Sequence, residues 1–214
     1  MQVAIVSIAE REVPASWCSF KRTLDMLLGV LFCLVTLPIV ALAALAILLI
    51  TRGSPFYAQE RVGQNGRRFK MYKLRTMVEN AHEMRDALMH LNESDGPVFK
   101  IRNDPRLHPL GRVLRRTSID ELPNLFNVIR GDIALVGPRP ALPSEVEHYN
   151  AYALRRLAVP QGITGLWQIM GRADVPFEEW MRLDNEYVDT WTPLGDLAIL
   201  LKTIPAVLRK DGAH

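Results

Sequence analysis

Residues 26–50, MLLGVLFCLVTLPIVALAALAILLI, run for 25 positions without a charged side chain, and their reading decides what kind of fold this chain has. At about 1.5 Å per residue a helix of that length reaches roughly 37 Å, against about 30 Å for the hydrocarbon core of a bilayer. A cleaved signal peptide is disfavoured, because the apolar run is too long and continues past Ala41-Leu42-Ala43. Two features cut against a straight span. Pro38 stands mid-run, where it removes a backbone hydrogen bond and crowds the carbonyl four residues earlier. Thr36 is close enough in sequence to satisfy a freed backbone group in lipid. Basic residues also flank both ends: Lys21 and Arg22 before, then Arg52, Arg61, Arg67 and Arg68 after. Orientation by the positive-inside rule expects one flank to be depleted. A helix that enters, bends at Pro38 and returns satisfies the rule with both ends on one face; a single spanning anchor is the alternative. The expected organisation is a tail over 1–20, a re-entrant helix–break–helix over 21–51, and a cytoplasmic domain over 52–214.

Outward from that run, the composition is ordinary for a globular chain. The 214 residues are 49% hydrophobic and 23% charged, with 26 basic and 23 acidic side chains giving +3. A chain of this length buries a core without staples and is neither disordered nor a polytopic channel. Cys18 and Cys33 are its only cysteines, which excludes a disulfide framework and a thiolate zinc cluster. The mild basic bias suits anionic lipid or phosphate and is too weak to argue for nucleic acid. The predicted class is α+β, mostly helical. Asn65-Gly66 between strand-like runs predicts a hairpin over 56–62 and 68–73. Helical spacing is read at 78–91, 144–157 and 176–191, a short strand at 133–136, and loop with short strand at 160–172. Residues 3–8 read as a strand or a membrane-surface segment, and the basic-tipped C-terminus as an amphipathic helix on the membrane or packed on the core.

Chemistry-bearing residues cluster in GRVLRRTSIDELPNLFNVIRGDIALVGPRP, residues 111–140. Asp120-Glu121 follows Arg112, Arg115 and Arg116, and Ser118-x-x-Glu121 fits a capping box opening a helix. A first-turn carboxylate beside arginines is kept ionised, and such an Asp is a competent nucleophile toward phosphorus. The adjacent carboxylate is then free to hold a divalent metal. In Gly137-Pro138-Arg139-Pro140 the prolines stiffen the backbone and present Arg139 for bidentate phosphate recognition. Lys70, Lys73 and Arg75 alternate with apolar residues as on a half-buried strand. No P-loop or dinucleotide fingerprint is present, and His82 and His90 read as surface residues. Together these point to phosphoryl chemistry on a lipid-borne substrate.

Several blocks in one order carry a resemblance: KRTLD before the apolar run, ERVGQNGRRFKMYKLRTM, VFKIRNDPR, LRRTSIDELPNLFNVIRGDIALVGPRP, GITGLWQIMGR and DNEYVDTW. From Lys21 onward the chain resembles the bacterial sugar transferases, the monotopic polyprenyl-phosphate phosphoglycosyl transferases that start exopolysaccharide, capsule and O-antigen units. The resemblance implies transfer of sugar 1-phosphate from a UDP-sugar to undecaprenyl phosphate with release of UMP. It implies Asp120 as nucleophile of a covalent two-step exchange and Glu121 as holder of Mg2+. Arg139 would bind phosphate, with Arg115 and Lys73 as basic site residues, while Arg75 and Arg112 are candidates from the basic clusters. The family's membrane helix is re-entrant and broken near a Ser-Pro; here Leu37-Pro38 keeps the proline and lacks the serine. The implied location is the bacterial inner membrane with the domain on the cytoplasmic face, as a minimal catalytic unit for which a homodimer is compatible. Two alternatives stay open: a one-step transfer with Asp120 as base, and a non-catalytic, lipid-binding tether.

Overall fold

A computed structural model describes residues 15–170 and 175–209, so the segment 3–8 lies outside the described residues. The longest element, α1 (Ala15–Thr51), is helical through Pro38 without interruption. Helix therefore covers residues 15–20 as well, and the expected break at Pro38 is not an interruption of the helix. A proline deletes only its own N–H bond, and Thr36 Oγ1 donates to the Phe32 carbonyl at 2.7 Å just before it.

The helix is not free of the domain at either end. Arg22 donates to the carbonyls of Val128 and Ile129 at 2.6 and 2.7 Å, and Gly29 lies against Val128. Lys21 bridges Asp25 and Asp196. Asp196 also accepts from Tyr187 Oη at 2.9 Å and Trp191 Nε1 at 3.1 Å. Farther along, Ile47 is fully buried with Leu74 and Leu114, and Val40, Ala43 and Ala44 pack there too. Between these two anchorages Leu34, Val35 and Leu37 are left exposed.

After α1 the chain turns into the hairpin β1 (Phe56–Val62) and β2 (Arg68–Leu74), paired in antiparallel register with Tyr57 opposite Lys73 and Arg61 opposite Phe69. Asn65 and Gly66 adopt φ of 54° and 78°, the left-handed backbone that this dipeptide accepts more readily than others. The helix read at 78–91 is instead a series of turns ending in a 3-10 segment, Asp86–Leu91. Its presumed apolar stripe finds no core: Met84 and Leu88 are half-buried and Leu91 is exposed. A helix of this length draws its stability mainly from a buried face.

α2 (Pro109–Arg116) and α3 (Asn124–Arg130) follow. Asn127 of α3 accepts from Tyr72 N–H at 3.1 Å and donates to the Lys70 carbonyl at 2.8 Å, fastening α3 to β2. β3 (Ala134–Val136) is fully buried, as its unbroken apolar run requires, and pairs in parallel with β4 (Gly162–Thr164). The single helix read at 144–157 is divided into α4 (Pro143–Val146) and α5 (Ala151–Leu154). Asn150 causes the restart, accepting from Ala153 N–H at 2.9 Å as an N-cap. α6 (Leu166–Met170), α7 (Phe177–Thr190) and α8 (Pro193–Arg209) close the fold. Ile199 of α8 enters the main core with Val128, Leu135 and Tyr187, while Leu194, Leu197, Leu201 and Ile204 face outward. The fold is α+β and mostly helical. Cys18 and Cys33 are unbridged.

Candidate active site

Asp120 and Glu121 share one 3-10 turn, Ile119–Glu121, between α2 and α3. Ser118 before it has φ 55° and ψ 17° and makes no side-chain cap. The expected capping box is therefore not formed: Ser118 is left-handed, and the Glu121 carboxylate is engaged elsewhere. A serine held in this region is strained, and such strain survives only where the surroundings impose it.

Glu121 is gripped by two cations. Lys73 Nζ of β2 donates to Oε1 at 2.7 Å; Arg139 donates through Nη2 to Oε1 at 2.6 Å and through Nη1 to Oε2 at 3.2 Å. Burial would raise this carboxyl, but Arg139 and Lys73 hold it well below the usual carboxylate range. Burial also pushes Lys73 down to about 8, against the pull of Glu121. Asp120 is only 6% exposed. Burial first, then the neighbouring Glu121 charge, push it up to about 6, opposed by Lys73, Arg115 and Arg139. Arg115 is oriented by donating from Nε to Thr76 Oγ1 at 3.1 Å.

The structure thus unites Asp120, Glu121, Lys73, Arg115 and Arg139. It does not bring the other two candidates in. The Arg75 guanidinium lies beside Gly53 and 3.9 Å from Glu79, and Arg112 is exposed on α2. Lys70 is on the outer face of β2, because side chains alternate and Lys73 faces in. One member was missed as a site residue. Arg61 of β1 shares the inner face with Lys73, donates from Nη1 to the Pro140 carbonyl at 3.0 Å, and is pushed down to about 10 by burial and by the like charge of Arg139. Its signal was present in the period-2 register, once the hairpin fixes which face is inner.

Cations outnumber carboxylates in this cluster, so it suits a polyanion that brings its own negative charge. Among the described residues no three His, Cys, Asp or Glu side chains cluster as a metal cage. Glu121 already carries Lys73 and Arg139 on its oxygens, so a magnesium ion would be held there together with substrate phosphate rather than by the two carboxylates alone.

Asp120 also makes a stability prediction. A carboxyl whose folded pKa is raised from 3.8 to about 6 disfavours folding once ionised, so stability falls as pH rises across that interval. In magnesium-free protein, Asp120→Asn is expected to match wild type near pH 4 and to exceed it by about 1–3 kcal/mol above pH 6. Chemical unfolding at several pH values measures the difference; equal curves at pH 7 would contradict it.

Comparison with known proteins covers nearly the whole chain. The family model described as bacterial sugar transferase matches residues 16–210. The UDP-galactose-lipid carrier transferase of Erwinia amylovora is 41% identical over 223 residues, covering 100% of this chain and 45% of that protein. The undecaprenyl-phosphate galactose phosphotransferase of Salmonella typhimurium is 38% identical, with the same 100% and 45% coverage. The exopolysaccharide production protein ExoY of Rhizobium meliloti is 40% identical over 198 residues, 91% of this chain and 88% of that one. The chain spans less than half the length of the first two relatives and most of the third.

Proposed function

The chain belongs to the bacterial sugar transferase family, and from that premise we propose that it moves sugar 1-phosphate from a UDP-sugar to undecaprenyl phosphate and releases UMP, the opening step of an exopolysaccharide, capsule or O-antigen unit. One observation carries the reading: a buried carboxylate, Asp120, stands beside a Glu121 clamped by Lys73 and Arg139, with Arg61 and Arg115 around them. In the first step an Asp120 oxygen attacks the sugar-linked phosphorus, and the bond to the UMP oxygen breaks with its electron pair leaving on UMP. In the second, a phosphate oxygen of the lipid attacks the same phosphorus and Asp120 departs as a free carboxylate. Lys73, Arg61 and Arg139 offset the like-charge approach of carboxylate and diphosphate. Mg2+ at Glu121 would supply further charge compensation on the diphosphate and the departing UMP.

Donor-treated protein without acceptor is expected to gain one sugar phosphate at Asp120 and to release one UMP per chain. UMP release that needs the acceptor, with no adduct, favours the one-step alternative; no release at all favours the tether.

The same reading places α1 as a re-entrant helix in the inner membrane, with the domain on the cytoplasmic face. Both ends of α1 are fastened to one domain, at Lys21–Arg22 and at Ile47, whereas a straight crossing would carry one end to the far side. The exposed Leu194, Leu197, Leu201 and Ile204 of α8 suit an interfacial helix. With Cys18 and Cys33 replaced by serine, Phe20→Cys and Ser54→Cys are both expected to react with an impermeant maleimide from the cytoplasmic side. Reaction of the two from opposite sides would establish a span.

A further inference from the structure

The turn that carries Arg139 is held by its carbonyls, and one of the groups holding it lies outside the site. Pro138 and Pro140 have no N–H, so this backbone binds its surroundings chiefly by accepting. Four consecutive carbonyls each find a donor. Pro138 O takes Gly162 N–H at 2.8 Å and Ala141 O takes Val62 N–H at 2.9 Å, both backbone bonds. Pro140 O takes Arg61 Nη1 at 3.0 Å, and Arg139 O takes Arg156 Nη2 at 2.6 Å.

We infer that Arg156 is a positioning residue for the transfer, setting the direction in which Arg139 presents its guanidinium to Glu121 and substrate phosphate; the inference rests on the reading of the site given above. Arg156 follows α5 and is fully buried. Its own direction is over-determined. Nη2 also pairs with Asp184 of α7 at 2.8 Å, Nη1 donates to Tyr149 Oη at 2.9 Å, and the guanidinium lies 5.1 Å from the centre of the Trp180 ring. The chain of contacts runs from Asp184 through Arg156 to the Arg139 backbone, and from the Arg139 side chain to Glu121. A buried ion pair is weak evidence for stability, since apolar residues of equal volume often serve as well. A guanidinium does what they do not: it donates to Arg139 O while anchored in three other directions.

Arg156→Lys retains a cation for Asp184 but lacks the fork that also reaches Tyr149 and the Arg139 carbonyl. With UDP-sugar and a polyprenyl phosphate, kcat is expected to fall about 10- to 100-fold with KM for the donor moving less than about threefold, the scale of a displaced charge-stabilising group. In an Arg139→Lys background, where the fork being aimed is already gone, the same substitution should cost less than about threefold. An equal factor in both backgrounds, or none in the wild type, overturns the inference. Hydrogen exchange on ligand-free protein reads the turn without activity. The Gly162 and Val62 amides, which donate to Pro138 O and Ala141 O at the two ends of the turn, should exchange about tenfold faster in Arg156→Lys, with Tm near wild type. Unchanged exchange also overturns it. Asp184→Asn repeats both measurements should Arg156→Lys not fold. If wild-type protein releases no UMP, the proposed function falls while the exchange result still decides this one.

Discussion

Asp120→Asn is expected to lower UMP release by at least about 10,000-fold in a protein that remains folded. Asparagine keeps the size and shape of a side chain only 6% exposed, so packing against α2 and β2 is preserved. What disappears is the anionic oxygen. A carboxamide is a poor nucleophile, and removal of an attacking group in other enzymes costs about 10⁴–10⁶ in kcat. Residual turnover would come from Lys73, Arg115 and Arg139, which on the proposed reading would still hold and polarise the donor. The magnitude separates mechanisms. Loss of a general base costs about 10²–10⁴, and a one-step enzyme leaves no adduct in wild type. A deep loss together with a trapped adduct on wild type but not on the variant supports the two-step reading. Turnover within about tenfold of wild type would remove Asp120 from the attack altogether. Because the substitution also removes a charge that burial first, and then the Glu121 carboxylate, disfavour, the inactive variant should be the more stable one at neutral pH. Inactivity through misfolding predicts the opposite.

Which parts of this were legible in the chain depends on the range of the forces involved. The hairpin was, because Asn65-Gly66 carries its own backbone preference and register then follows. So were β3 and α7, where an unbroken or periodic apolar pattern matches one buried environment. The Asp-Glu pair and the Pro-Arg-Pro turn were visible as residue types in order. Their meeting across 18 positions, through Arg139 and Glu121, is tertiary. Local rules failed where a tertiary partner outbid a local one. Ser118 and Glu121 spell a capping box, yet Lys73 and Arg139 take the carboxylate. Residues 78–91 have helical spacing but no core to receive the stripe. Arg75 and Arg112 stand in the same basic clusters as Lys73 and Arg115 and point away from the carboxylates. Arg61 and Arg156 are plain arginines in sequence; only the fold shows that one grips each side of the same turn.

That turn also makes Gly137→Ala a severely damaging substitution for so small a change, a single added methyl. Gly137 follows β3, donates to the Thr164 carbonyl at 2.9 Å, and leads directly into Pro138-Arg139-Pro140. A Cβ there would overlap the Pro160 carbonyl oxygen and press on the Gly162 nitrogen and the Gln161 carbonyl carbon, at 3.0 and 3.1 Å. All three obstacles are backbone, so no rotamer change relieves them. The segment 160–162 must retreat, and with it go bonds from Ala134 N–H to Gln161 O and from Gly162 N–H to Pro138 O, at 2.7 and 2.8 Å. Losing two or three buried backbone bonds while straining the strand pair costs about 3 kcal/mol or more. The same retreat moves the Arg139 backbone, so surviving protein should turn over about 100-fold more slowly. Gly195→Ala provides the contrast, since its Cβ would approach only the Thr192 hydroxyl, at 3.1 Å. Urea unfolding and UMP release on both variants test the pair. A Gly137→Ala protein as stable as Gly195→Ala would mean that β3 and β4 do not approach each other this closely, and that Arg139 is not held at its present place by their contact.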